Sequence, residues 1–77
     1  MDKEERRELI KSRVRQTVKY SGFPQWELGE MIGTEQSQIS AWARGKAMPD
    51  IVNLSALCEA LKINPAWLLG LSDRREL

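Results

Sequence analysis

Large hydrophobic residues recur at intervals of three and four along this chain, and apolar and polar positions alternate for only a few residues at a time. A spacing of three or four places side chains on one face of an α-helix. Ile10, Val14 and Val18 follow this spacing, and Asp2 with Glu5 forms a capping-box sequence ahead of them. The pattern predicts an all-α domain of five helices.

Glycine and proline residues set the limits of the first two predicted helices. The first is expected from Lys3 to Tyr20, after which Gly22 can supply the left-handed conformation that ends a helix. Pro24 suits the first turn of the second helix, which Gly33 ends about eight residues later.

Three further helices are predicted downstream of that glycine. Thr34 and Glu35 can cap the third helix, which ends at Gly45. Pro49 and Asp50 open the fourth helix, and Asn64 opens a short fifth helix. The fourth helix is expected to bury one apolar stripe, formed by Ile51, Leu54, Leu57, Cys58 and Leu61.

The third predicted helix buries only a narrow stripe. Its large apolar residues, Ile39 and Trp42, are three apart and therefore share a face. Its other faces carry small or hydrogen-bonding side chains, namely Gln36, Ser37, Ser40 and Ala41. A short helix with such an outer face suits insertion into a DNA groove, where these side chains can read base edges.

Length and composition limit the possible functions. Seventy-seven residues are enough for one domain, expected over residues 1–70, but too few to enclose a substrate cavity of ordinary size. Residues 71–77 form a charged, aperiodic tail that we expect to fray. With no histidine and only Cys58, one chain cannot assemble a histidine acid–base site, a disulfide or a Cys/His metal cluster. We expect no enzymatic activity, no metal and no cofactor.

The net charge is +1, without the strong positive excess typical of nucleic-acid-binding proteins. The charges are unevenly distributed, because every charged residue from Lys11 to Lys19 is basic. This segment is either a surface that faces phosphates or a solvated face that complements the helix dipole. No apolar run approaches the ~18 residues needed to cross a bilayer, so we expect a soluble, cytoplasmic protein.

A specific set of residues surrounds the second and third helices. Gln25 opens the second helix, Leu28 follows, Gly33 makes the turn, and Ile39-Ser40-x-Trp42-x-Arg44-Gly45-Lys46 leads to Pro49. In these residues the chain resembles the helix-turn-helix family of phage Cro and cI-type repressors, often called the XRE family. The resemblance implies a compact five-helix, lambda-repressor-like domain with its helix-turn-helix in helices two and three.

The resemblance also implies residue roles. Gln36 is placed to pair with N6 and N7 of an adenine, and Ala41 to contact a thymine methyl, with Ser37 as a further base-reading residue. Glu35 can accept from a cytosine amine or cap the helix, and we favour the cap. The residues expected to contact phosphates are Gln25, Gln38, Arg44 and Lys46.

The chain departs from the family pattern at a few positions. Val18 and Ala43 stand where members often hold a buried arginine–glutamate pair, and both partners are replaced together. Pro24 stands where a capping side chain is usual. Lys62 replaces the usual glycine after helix four, so either it adopts the left-handed conformation or the helix ends with a different turn.

The function that the resemblance implies is a transcriptional repressor of the phage or prophage type. It would bind a partly palindromic double-stranded DNA operator as a homodimer. The alternative is an antitoxin-like module whose main partner is a protein and whose DNA binding is secondary, a reading supported by the low net charge and by Trp26 at a usually polar position. The sequence leaves open whether 77 residues are the whole regulator or its DNA-binding part.

Overall fold

The computed structural model describes all 77 residues and contains five α-helices and no β-strand. The helices are α1 (Lys3–Lys19), α2 (Gln25–Ile32), α3 (Gln36–Ala43), α4 (Ile51–Leu61) and α5 (Pro65–Leu68). The predicted all-α, five-helix architecture is confirmed. No helix combines the length and apolar composition that a membrane crossing requires.

Most of the predicted helix ends are present. The Asp2 carboxylate accepts from the Glu5 N–H, and the Glu5 carboxylate accepts from the Asp2 N–H, which completes the capping box. Asp50 and Asn64 cap α4 and α5 through their side chains. Gly33 ends α2 in the left-handed conformation, with φ at 75°.

The predicted start of α2 and the predicted cap of α3 were wrong, whereas the expected lack of a capping side chain at Pro24 is confirmed. Pro24 precedes α2 instead of lying in its first turn, and it offers no side-chain acceptor. Glu35 occupies the N-cap position of α3, but its carboxylate makes no capping hydrogen bond. The Thr34 hydroxyl does not cap α3 either, because it donates to Gln38 Oε1 at 2.9 Å. The first-turn N–H groups of both helices therefore lack a side-chain acceptor.

Lys62 resolves the two possible ends of α4. It adopts the left-handed conformation, with φ at 58° and ψ at 42°. A lysine in this conformation costs roughly 1 kcal/mol relative to glycine. The helix therefore ends with the left-handed turn that a glycine would give, and other interactions of the fold offset this loss of free energy.

The core lies between α1 and the other helices, with α1 packed on α3 and α5, and α2 packed on α3 and α4. Trp42, expected in the core, is only 3% exposed. Ala43 is half-buried and packs against this cluster. The buried hydrophobic residues are Val14, Val18, Leu28, Ile39, Trp42, Leu57, Cys58, Ile63, Trp67 and Leu68.

The apolar stripe predicted on α4 is shorter than its spacing suggests. Leu57 and Cys58 are buried, and Leu54 and Leu61 are half-buried. Ile51 is 86% exposed, so its assignment to the buried stripe was wrong. Ile51 is the first residue of α4, where no neighbouring helix covers the face that the periodicity selects. Spacing identifies the face of a helix but not how far along it the packing partner extends.

The tail of residues 71–77 is hydrogen-bonded, so the expectation that it frays was wrong. Arg13 Nη1 donates to the carbonyl oxygens of Trp67 and Ser72. The Asn64 N–H donates to the Arg75 carbonyl at 2.8 Å, and its side-chain amide donates to the next carbonyl upstream at 2.9 Å. These contacts are made largely to backbone carbonyls, which leave no periodic signal in the sequence.

Trp67 is covered by the same interaction. The guanidinium carbon of Arg13 lies 4.9 Å from the centre of its ring, and that of Arg75 lies 5.6 Å away. The indole is only 7% exposed. The two arginines therefore cover the indole and leave little of Trp67 for a partner to contact.

Candidate nucleic-acid interface

The turn between α2 and α3 depends on Gly29, a residue that the sequence analysis did not single out. A Cβ at this position would lie 2.7 Å from the Thr34 carbonyl oxygen, closer than real Cβ contacts allow. The Thr34 N–H in turn donates to the Gly29 carbonyl at 2.9 Å. A glycine inside a helical pattern is the signal that could have identified it. Gly29 allows α2 and the turn to approach closely enough to fix the orientation of α3.

The outer face of α3 carries the three residues predicted to read bases. Ile39 and Trp42 are buried and fix the opposite face against the core. Gln36 and Ser37 are exposed in the first turn, and Ala41 is half-buried one turn later. Because Ser37 and Ala41 are small, the helix can approach a surface closely, and the longer Gln36 side chain can then extend to it.

Gln25 and Gln36 are the first residues of α2 and α3. Both helices start without a side-chain cap, although one carboxylate lies at each start, Glu27 in the first turn of α2 and Glu35 at the N-cap of α3. Gln25 is half-buried and Gln36 is exposed. The structure therefore presents two glutamines at helix starts, as the resemblance implied.

Gln38 differs from the other predicted phosphate-contacting residues. Its side-chain oxygen already accepts from the Thr34 hydroxyl. It also lines, with Met48, Asp50 and Asn53, a shallow cavity of about 330 Å³ between α3 and the start of α4. Its side chain is still exposed, and its predicted contact with phosphate stays a prediction.

The loop after α3 collects positive charge. Arg44 and Lys46 are exposed on either side of Gly45, whose φ is 71°. The Arg44 Nε donates to the Ser40 carbonyl at 3.3 Å, which holds the guanidinium along the outer side of α3.

Two cations of α1 lie against the same loop. A Cβ on Gly45 would be 3.1 Å from Arg15 Cδ and 3.6 Å from Lys11 Cδ. Lys11 is paired with Glu8 at 3.5 Å, the longer of the two ion pairs in the molecule. The run from Lys11 to Lys19 therefore does not act as one patch, because Arg13 is bound to the tail and Lys19 lies over the Tyr20 ring.

The arrangement combines a polar helix face with cations at one end of it. The face offers amide and hydroxyl groups that can hydrogen-bond base edges in a major groove. The cations offer donors suited to phosphate oxygens. Neither group alone specifies a ligand, but together they match the two kinds of contact that a sequence-specific DNA-binding protein makes.

Comparison with known proteins supports this match. A helix-turn-helix family model matches residues 21–68. The chain is 37% identical over 62 residues to repressor protein C2 of Salmonella phage P22, covering 80% of this chain. It spans only 29% of the length of that repressor.

A solved structure is similar over most of the domain. The DNA-binding domain of the P22 C2 repressor, determined in solution by nuclear magnetic resonance, superimposes with a TM-score of 0.67 and 36% identity. The alignment covers 87% of this chain and 91% of that domain. The lambda-repressor-like fold and the resemblance noted in the sequence are both confirmed.

Proposed function

Because the chain belongs to the XRE-type helix-turn-helix family, we propose that it binds double-stranded DNA sequence-specifically and acts as a phage- or prophage-type repressor. The observation that carries the proposal is α3, whose buried side is fixed by Ile39 and Trp42 and whose outer side carries Gln36 and Ser37. Repression follows by occlusion, since a bound protein blocks the DNA that polymerase must occupy.

In this proposal α3 enters the major groove and each residue has one role. Gln36 pairs with adenine N6 and N7, Ser37 is a secondary reader, and Ala41 contacts a thymine methyl. The side chains that hold the DNA backbone are Gln25, Gln38, Arg44 and Lys46. Gln25 supports Gln36 from the neighbouring helix start, so the two act as a unit.

Two copies of the chain bind one operator in the proposal. A helix-turn-helix dimer binds half-sites about one helical turn, ~34 Å, apart, so the operator is partly palindromic. Ile51 and Val52 are 86% and 76% exposed at the start of α4, and two adjacent apolar side chains on the surface favour a protein contact. No metal or cofactor takes part, and the protein acts in the cytoplasm.

The second candidate is an antitoxin-like module with a protein as its main partner. Trp26 is 55% exposed on α2, and the net charge is only +1. Tryptophan is enriched in protein interfaces.

Selection of bound duplexes from a random DNA pool tests the proposal. We expect enrichment of a partly palindromic sequence and, by sedimentation, two chains on each selected duplex. The absence of any enriched sequence, together with tight binding of a small protein encoded beside this one, would replace the repressor by the second candidate.

A further inference from the structure

Arg15 of α1 lies against the loop that follows α3, beside Gly45. We propose that Arg15 is a DNA phosphate-binding residue. Because Gly45 has no side chain, it leaves a space, here called the notch, in which the Arg15 side chain lies beside Arg44 and Lys46. The inference rests on the proposed DNA binding and adds to it a contact from a helix outside the helix-turn-helix.

The notch is visible in the contacts of Gly45. An added Cβ would lie 3.1 Å from Arg15 Cδ and 3.6 Å from Arg15 Nε. The first distance is tighter than nine in ten real Cβ contacts, so the arginine stem would have to shift by a few tenths of an ångström to admit a side chain here. Gly45 also has a φ of 71°, which any other residue adopts at a cost. The glycine thus serves both the turn and the approach of α1.

The guanidinium charge of Arg15 is available to bind a ligand. Arg15 is exposed, and neither ion pair of the molecule includes it. Arg13, two residues earlier, is the contrast, because its guanidinium is committed to the carbonyl oxygens of Trp67 and Ser72. Lys11 also reaches Gly45, but Glu8 partly neutralises it. Arg15 is therefore the unpaired cation that α1 adds to Arg44 and Lys46.

The chemistry fits a phosphate and not a base. A guanidinium offers several donors in a plane and matches the oxygens of a phosphate diester. Arg15 stands on α1, whereas the outer face of α3 carries the residues suited to base edges. The contribution of Arg15 to DNA affinity should therefore be nearly the same on any duplex and should decrease as the salt concentration rises.

Salt titration of DNA binding with two matched variants tests the proposal. Arg15→Gln and Lys19→Gln each remove one exposed cation of α1 that takes part in no ion pair, and only Arg15 lies against Gly45. For Arg15→Gln we expect the slope of log affinity against log salt to fall in magnitude by about 0.9 per bound chain, which is about 1.8 for two chains on one operator, so its affinity loss is about 12-fold larger at 50 mM than at 200 mM salt. Lys19→Gln should leave the slope unchanged.

A double-mutant cycle tests the role of Gly45. Gly45→Ala should reduce the slope in the wild-type background, because the methyl group displaces Arg15. In the Arg15→Gln background it should reduce the slope no further. Thermal unfolding of each variant is measured in parallel, and titrations are run well below the melting temperature, so that loss of fold does not enter the slopes.

The outcomes separate this inference from the function on which it rests. If the wild-type protein binds DNA and the Arg15→Gln variant has the same salt slope, the phosphate-binding role of Arg15 is overturned and the proposed DNA binding is not. Equal slope losses for Arg15→Gln and Lys19→Gln would reduce the effect to overall charge and would also overturn it. Wild-type protein that binds no duplex would overturn both proposals.

Discussion

At the scale of single residues, Val18 and Ala43 show how this domain does without an ion pair that its relatives often have. Val18 is 4% exposed, and Ala43 packs against the hydrophobic core. Replacement of both charged partners by apolar residues avoids the desolvation of a buried pair, whereas replacement of one would leave the other uncompensated. The two positions are thus expected to depend on each other.

Ala43→Glu tests that dependence. We expect it to lower the free energy of unfolding by about 2–4 kcal/mol, since the new carboxylate would be half-buried without a partner. Val18→Arg in the same chain should recover part of the loss, because the two new charges can pair. Denaturant titration of the two single variants and the double variant measures the coupling. Losses that simply add would mean that the two side chains do not meet.

At the scale of elements, the orientation of α3 relative to α2 rests on backbone contact at Gly29. The Thr34 carbonyl fills the place where a side chain would be, and the Thr34 N–H bonds back to the Gly29 carbonyl. Helix propensity alone favours alanine over glycine here by roughly 0.5–1 kcal/mol. For Gly29→Ala, steric contact therefore predicts a loss of stability, whereas helix propensity predicts a gain.

Gly29→Ala is expected to destabilise the domain by about 1–3 kcal/mol and to weaken DNA binding, because the turn must open to admit the methyl group. Gly33→Ala is the matched control, since no atom lies within 4 Å of its added Cβ and only its left-handed conformation, φ 75°, opposes the change. Its cost should be about 1 kcal/mol. Thermal unfolding of both variants decides the matter, and a stabilised Gly29→Ala protein would refute the close contact.

At the scale of the whole molecule, the last residues close the fold. The tail accepts hydrogen bonds from Arg13 and Asn64, and Leu77 reaches a groove of about 410 Å³ beside α4 that Leu54 and Cys58 also line. Cys58 is 5% exposed, and burial raises the pKa of its thiol above the ordinary value of 9.0. A protonated, buried thiol reacts slowly.

Removal of residues 72–77 should therefore have two effects. The melting temperature should fall, because Arg13 loses one of its two acceptors and Asn64 loses both of its acceptors in the tail, and Cys58 should react faster with a thiol reagent in the native state. The exposed substitution Asp73→Ala is the control and should change neither quantity. Rapid labelling of the intact protein would contradict the burial of Cys58.

The same thiol gives a pH dependence. In the unfolded chain Cys58 ionises near its ordinary pKa of 9.0, and in the folded chain it ionises at higher pH. Above that ordinary value the unfolded chain binds fewer protons, so stability should fall as pH rises. Cys58→Ala should remove this part of the decline.

What the sequence predicted, and what it did not, follows from the kind of contact involved. Val14, Ile39 and Trp42 lie in the core as their spacing indicated, because helix packing selects one face of each element. Residue types suited to base edges could likewise be placed on α3. The notch at Gly45 and the docked tail were not predictable, because each depends on atoms brought together from distant parts of the chain.

We propose that α3 reads DNA sequence through Gln36. Affinity of Gln36→Ala and Lys46→Ala for the selected operator and for unrelated duplex DNA tests it most directly. We expect Gln36→Ala to lose ~1–3 kcal/mol of binding free energy on the operator only and to relax base preference at one symmetric position per half-site, whereas Lys46→Ala should weaken binding to all duplexes alike. A uniform loss for Gln36→Ala, with base preference unchanged, would contradict the claim.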